Sequence, residues 1–199
     1  MKRSLPYAVL LALALGLVAT ARGVALDHWL VERAVALDRR SSALHASMKL
    51  GTALGRNTTL LAGLLVPAAF GGGVVRVTVR VAAVAFGATW MATTVLKSIT
   101  HRERPSGERD RPNSSFPSGH ASAITVLAMV VSRRHRRHGP WMWALAAWIA
   151  VSRVFLGAHY PSDVVAGMLL GGLIGVWALR FEVLLGSAAA MSNVGVSHG

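Results

Sequence analysis

Lys97-Ser98-Ile99-Thr100-His101-Arg102-Glu103-Arg104-Pro105, followed after a short polar segment by Phe116-Pro117-Ser118-Gly119-His120, is the stretch on which the reading of this 199-residue chain turns. It gathers cations, hydroxyls, a glycine and two imidazoles between two apolar runs of membrane length. Charges next to such runs are costly and mark function by default. The first expectation is therefore an anion held at a membrane surface.

Working outward, 53% of the residues are hydrophobic, only 15% are charged, and the mean hydropathy is +0.50. That leaves too little polar material to cover a globule, and an integral membrane protein with the lipid bilayer as its solvent is expected. The formal net charge of +13 does not point to nucleic acid, because the basic residues lie between apolar runs and form no basic domain of their own. Anionic lipid or a phosphorylated ligand is the better electrostatic partner. With no cysteine in the chain, disulfides, thiolate metal sites and thiol nucleophiles are excluded.

The apolar runs predict an all-α fold, a six-helix transmembrane bundle in one domain over residues 1–186. The expected spans cover about residues 4–21, 57–75, 77–97, 117–132, 141–157 and 161–180, with an interfacial helix between spans one and two. Ala19-Thr20-Ala21 also fits a signal-peptide cleavage pattern. A retained first helix is preferred, since a multispanning protein needs no cleavable signal. Between Arg22 and Arg56, Leu26, Leu30, Val31, Ala34 and Leu37 recur at helical spacing, with Asp27, Glu32, Arg33 and Asp38 between them. This pattern fits an amphipathic helix at the interface and equally a solvated connector. Gly71-Gly72-Gly73 predicts a turn, and Trp141, Trp143 and Trp148 are placed as interfacial anchors. Gly167, Gly171, Gly172 and Gly175 are spaced for close helix packing, and residues 187–199 are expected to be a disordered tail.

Spans three to six are each cut short by polar residues, always at one side. If the helices alternate in direction, the end of three, the start of four, the end of five and the start of six share a face. Lys97, Arg104, Ser118, His120, Arg153, His159 and Asp163 then converge. The dense turn Arg133-Arg134-His135-Arg136-Arg137 belongs in the cytoplasm by the positive-inside rule, which places the cluster on the extracytoplasmic face of the cell (plasma) membrane.

Pro117 suits the first helical position, where its missing N–H costs nothing, and Ser118 and Gly119 would then offer free amides to an anion at the helix N-terminus. Pro161 does the same for the last span, leaving His159 on the turn and Asp163 in the first helical turn. Asp163 accepting a hydrogen bond from one ring nitrogen of His159 would leave the other as a free lone pair. A neutral imidazole so oriented, beside several cations, suits nucleophilic attack on phosphorus, and His120 is an imidazole available to protonate a leaving oxygen. His and Asp are also metal ligands, but three cations would repel a divalent ion, and no metal site is expected. Arg102, Glu103, Glu108, Arg109 and Asp110 are read as ordinary surface charges of the polar loop, and His101 as a surface residue.

Lys97-x6-Arg104-Pro105, Pro117-Ser118-Gly119-His120 and Ser152-Arg153-x5-His159-x3-Asp163 together resemble the three-part signature of the type 2 phosphatidic acid phosphatase superfamily. That group contains membrane lipid phosphate phosphatases, undecaprenyl diphosphatases, glucose-6-phosphatases and vanadium-dependent haloperoxidases. The resemblance implies that His159 is a nucleophile forming a phosphohistidine, that Asp163 orients it, and that His120 is the general acid and then the base. It implies that Lys97, Arg104, Ser118, Gly119 and Arg153 hold the phosphate oxygens, with no metal ion or other cofactor. The expected substrate is a membrane lipid phosphate, a polyprenyl diphosphate such as undecaprenyl diphosphate first, phosphatidic acid or phosphatidylglycerol phosphate next. A non-enzymatic anion-binding or transport protein would use the same cations but gives no reason for His159, Asp163 and His120 at these spacings.

Overall fold

The computed structural model describes residues 20–107 and 114–195 together with Pro6, Val9 and Gly16, and side chains through Phe181. The expected first span falls almost wholly outside the described residues. What is described is helical, with no strand among the described residues. Helix α1 runs Ala21–Arg39, α2 Ser42–Leu54, α3 Asn57–Phe70, α4 Gly73–Thr100, α5 Gly119–Arg134, α6 Gly139–Phe155 and α7 Pro161–Gly195; a 3-10 turn, Arg136–His138, joins α5 to α6.

The segment expected to hold one interfacial helix holds two. Arg40 ends α1, and Ser41 caps α2 by accepting the Leu44 amide at 3.2 Å, as Thr20 caps α1 through Gly23 at 3.0 Å. The buried stripe of α1 is also rotated from the expected one. Asp27, Val31, Ala34 and Asp38 face inward, while Leu26 and Leu37 are 51% exposed. The two acids are tolerated there because each has a partner, Arg102 for Asp27 and His45 for Asp38.

Helix α5 is the centre of the bundle. Ten successive residues, Ala121–Val130, are buried, so neighbours must cover every face. Helix α4 brings Ala82, Ala85 and Phe86, and α6 brings Ala146 and Ile149. Helix α7 approaches closest: Cβ atoms built on Gly167 and Gly171 would come within 2.5 Å of the Ser118 carbonyl oxygen and 2.4 Å of that of Ser122, and one on Gly175 within 2.8 Å of Met129. The small-residue seam read from the sequence is thus the α5–α7 contact.

Helix ends differ in four places. Helix α5 starts at Gly119 with Ser118 as N-cap, so Pro117 precedes the helix and does not begin it; its peptide bond to Phe116 is cis. Helix α4 runs on past Lys97 to Thr100, where His101, exposed as expected, ends it at a φ of 46°. Helix α3 stops at Phe70, before Gly71 and Gly72. Helix α7 continues past Ser187, where a disordered tail was expected, as far as Gly195; Ala188–Met191 are good helix formers. Residues 196–199 lie outside the described residues.

Among the described residues, two helices are long and apolar enough to cross a membrane, Gly73–Thr100 and Pro161–Phe181, and Asn57–Phe70 is a shorter apolar helix. Helices α5 and α6, with 16 and 17 residues, extend only about 24–26 Å at 1.5 Å per residue. Length and apolarity therefore do not by themselves establish six spans. The shortfall lies where the polar ends meet.

Candidate active site

At those ends lies a cavity of about 300 Å³. Lys97 and Arg104 line it from α4 and the segment after it, Gly119 and His120 from the first turn of α5, Arg153 from the last turn of α6, and His159 from the α6–α7 turn. Asn57, Phe86, Thr89, Trp90, Thr93, Thr94 and Ala123 complete the wall. Three cations and two imidazoles thus surround one small volume whose lining, among the described residues, includes no carboxylate.

Each cation is held by a group outside the cavity. Lys97 Nζ donates to the Ser114 carbonyl, Arg104 Nη1 to the Ala158 carbonyl at 3.0 Å, and Arg153 Nη1 to the Thr52 hydroxyl of α2. Arg153 keeps its buried Nε without a hydrogen-bond partner among the described residues. A desolvated guanidinium N–H with no acceptor is a donor waiting for one.

The turn carrying His159 is built from backbone. Gly157 leaves α6 at a φ of +64°, a conformation side chains disfavour, and the amides of Ala158 and His159 donate to the Arg153 carbonyl at 3.0 and 3.1 Å. Pro161 then opens α7, as expected. His159 is 2% exposed. Burial pushes its imidazole down to about 4, against the raising influence of Asp163, so the ring is neutral at pH 7.

Asp163, fully buried, lies 3.6 Å from His159 Nδ1 through its Oδ2. That exceeds hydrogen-bond length, so the direct bond expected from the sequence is not formed. Instead the Ser115 hydroxyl donates to Asp163 Oδ2 and stands 3.5 Å from His159 Nδ1, and the Tyr160 amide donates to the same carboxylate oxygen at 2.9 Å. The Nδ1 edge of His159 is turned to this group, leaving the Nε2 edge for the cavity. His120 is braced from behind: a Cβ on Gly55 would meet its Cδ2 at 3.0 Å and Ile149 at 2.5 Å, so only glycine lets the α2–α3 turn pass so near.

The expectation for Ser118 changes. Its amide is not free but donates to the Asp163 carbonyl at 2.9 Å, and its buried hydroxyl has no partner among the described residues and does not line the cavity. Gly119, the first helical residue, does line it, and first-turn amides have no partner within the helix. Arg102, read as an ordinary surface charge, is instead ion-paired with Asp163 and with Asp27. Ser115, Thr52 and Asn57 were also not singled out. Ser115 adjoins the Phe116–His120 stretch, and Asp27 shares a helical face with Val31 and Ala34. Those were the available signals.

Comparison with known proteins gives one family. The model of the PAP2 superfamily matches residues 78–186, more than half of the chain. A decaprenylphosphoryl-5-phosphoribose phosphatase of Mycobacterium tuberculosis is 37% identical over 87 residues, 41% of this chain and 48% of that protein. An undecaprenyl-diphosphatase of Sulfolobus acidocaldarius is 38% identical over 72 residues, 34% of each. The chain thus aligns with half or less of these relatives' lengths. The crystal structure of a transmembrane PAP2-type phosphatidylglycerolphosphate phosphatase from Bacillus subtilis superposes with a TM-score of 0.78 over 92% of this chain and 96% of that one, at 23% identity. The shared feature there is the fold.

Proposed function

The chain belongs to the PAP2 superfamily, and from that premise we propose that it is an integral membrane phosphatase removing the terminal phosphate of a lipid phosphate or diphosphate. The observation carrying this reading is the cavity in which Lys97, Arg104 and Arg153 face a neutral, buried His159 backed by Asp163.

In the proposed reaction the three cations and the Gly119 amide take the phosphate oxygens and spread their charge, the largest contribution to phosphoryl transfer. Ser118, the remaining expected phosphate ligand, contributes by holding the turn before α5 to Asp163 through its backbone. His159 Nε2 attacks phosphorus, the bond from phosphorus to the leaving oxygen breaks, and His120, which enters this step as the imidazolium, gives that oxygen its proton. Asp163 balances the positive charge that develops on His159. His120, now basic, takes a proton from water as the water oxygen attacks the phosphohistidine. Orthophosphate leaves, His159 is again neutral and His120 is again protonated. Metal ions take no part.

A lipid substrate fits a site at the ends of apolar helices, where a tail can stay in the bilayer. A polyprenyl diphosphate such as undecaprenyl diphosphate is the preferred substrate, ahead of phosphatidic acid and phosphatidylglycerol phosphate. The name of the Sulfolobus relative supports a polyprenyl diphosphate, and that of the Mycobacterium relative a phosphate carried on a polyprenyl lipid. The site lies on the extracytoplasmic face of the plasma membrane. Phosphate release by purified protein from a panel of these lipids, with and without chelator, tests the proposal. Release unaffected by chelator is expected. No release from any of them would leave an anion-binding protein as the better account.

A further inference from the structure

Helix α1 belongs to none of the three motifs, yet it places a buried carboxylate against the back of the candidate site. Asp27, only 4% exposed, accepts from Arg102 Nη2 at 2.7 Å through Oδ2 and from the Ser162 amide at 3.1 Å through Oδ1. The other arm of the same guanidinium donates to Asp163 Oδ1 at 2.5 Å and to the Ser162 hydroxyl at 2.8 Å. The guanidinium lies over the Tyr160 ring, 4.3 Å from its centroid. Arg102 is therefore held on three sides, and among the described residues its side-chain partners, Asp27, Ser162, Asp163 and the Tyr160 ring, all lie outside the cavity wall.

The two oxygens of Asp163 have separate tasks. Oδ2 takes the Ser115 hydroxyl and the Tyr160 amide and faces His159, while Oδ1 is occupied by Arg102. A planar carboxylate fixed at one oxygen cannot rotate the other away from its partner. A guanidinium fork anchored at both arms is preorganised in a way that a single ion pair is not. We propose that Asp27 and Arg102 are positioning residues: Asp27 of α1 fixes Arg102, and Arg102 fixes the rotation of Asp163 and so the presentation of His159. The docking of α1 thereby becomes a requirement for turnover and not only for stability. This rests on the proposed reaction, in which Asp163 serves His159.

Helix α1 supplies its own control. Asp38 lies on the same buried stripe, is equally buried and is paired with His45 at 2.6 Å, but among the described residues it has no ion pair with Arg102 and does not line the cavity. Asp27→Asn, Asp38→Asn and His159→Ala are assayed beside wild type on the panel lipid that wild type hydrolyses fastest. Asp27→Asn is expected to lower kcat about tenfold or more with KM changed less than about twofold, the pattern of a lost transition-state interaction. Asp38→Asn is expected to keep the wild-type kcat. Wild-type kcat in Asp27→Asn, an effect wholly in KM, or an equal loss in Asp38→Asn would overturn the positioning role. If Asp27→Asn does not fold, Arg102→Ala is assayed with millimolar guanidinium: recovery of kcat supports the proposal and no recovery overturns it. The His159→Ala arm separates the two claims. Activity there overturns the proposed reaction itself, whereas inactivity there with a wild-type Asp27→Asn overturns only the positioning role.

Discussion

The amide of Ser118 donates to the carbonyl of Asp163 at 2.9 Å, joining the turn that opens α5 to the first turn of α7 by a main-chain bond. The bond forms because Gly167 lets α7 lie against the Ser118 carbonyl, where a Cβ would come within 2.5 Å. The phosphate-facing end of one helix and the carboxylate of the other are thus held in register by backbone, independent of side-chain rotamers.

Gly167→Ala is therefore expected to destabilise the protein by about 1–3 kcal/mol, the cost of overpacking a tight contact. It should also reduce kcat, since the α5–α7 register would shift. Gly63→Ala, whose Cβ would meet nothing within 4 Å, should leave kcat unchanged and raise stability by up to about 1 kcal/mol. Thermal unfolding in detergent and steady-state phosphate release measure both.

Ser115→Ala removes the hydroxyl between Asp163 and His159 without touching the cavity wall. A loss of about tenfold in kcat, equivalent to about 1.4 kcal/mol, with little change in KM is expected for one hydrogen bond that orients a carboxylate. Steady-state kinetics on the preferred lipid decide it.

Arg153→Met deletes a cation of the cavity and its unpartnered Nε donor. A fall of about 100-fold in kcat/KM is expected, in the range found for removal of one donor from a site of developing negative charge. Arg153→Lys should recover part of it, since a point charge replaces the fork but not its geometry. Competitive inhibition by inorganic phosphate should weaken in parallel.

The low-pH limit follows from His159. Burial holds its folded pKa near 4, below the ordinary 6.5, so the neutral nucleophile persists well below neutral pH. Formation of the phosphoenzyme in single-turnover experiments should lose its nucleophile only as pH approaches about 4. The sign for stability is that of a depressed base. The unfolded chain binds this proton first, so the contribution is present above about 6.5 and is lost as pH falls toward 4.

Topology can be probed on the cysteine-free background. Ser106 and His138 are exposed at opposite ends of the bundle. Ser106→Cys should react with an impermeant thiol reagent in intact cells, and His138→Cys only after lysis. The reverse pattern would place the site in the cytoplasm.

How much of this was legible in the sequence depended on the range of the interaction. Convergence of Lys97, Arg104, His120, Arg153 and His159 followed from helix parity, because alternating direction needs only the lengths of the runs. The α5–α7 seam was legible in Gly167, Gly171 and Gly175, because close approach demands missing side chains. Arg102 and Asp27 were not legible. They are 75 residues apart, and an arginine in a polar loop looks solvated until its partner is placed beside it. The free amide assigned to Ser118 was misjudged because a main-chain acceptor, the Asp163 carbonyl, leaves no trace in residue type. The helix pair α1 and α2 was read as one because Ser41, its N-cap, is a small polar residue within a mixed segment.

The most direct test of the central claim is to trap the phosphoenzyme. Acid-free quenching of the protein turning over a lipid with a radiolabelled terminal phosphate should yield label on the peptide containing His159, lost in acid and stable in alkali. His159→Ala should carry no label and release no phosphate while remaining folded in detergent. Label on another residue, or full turnover by His159→Ala, would contradict the account.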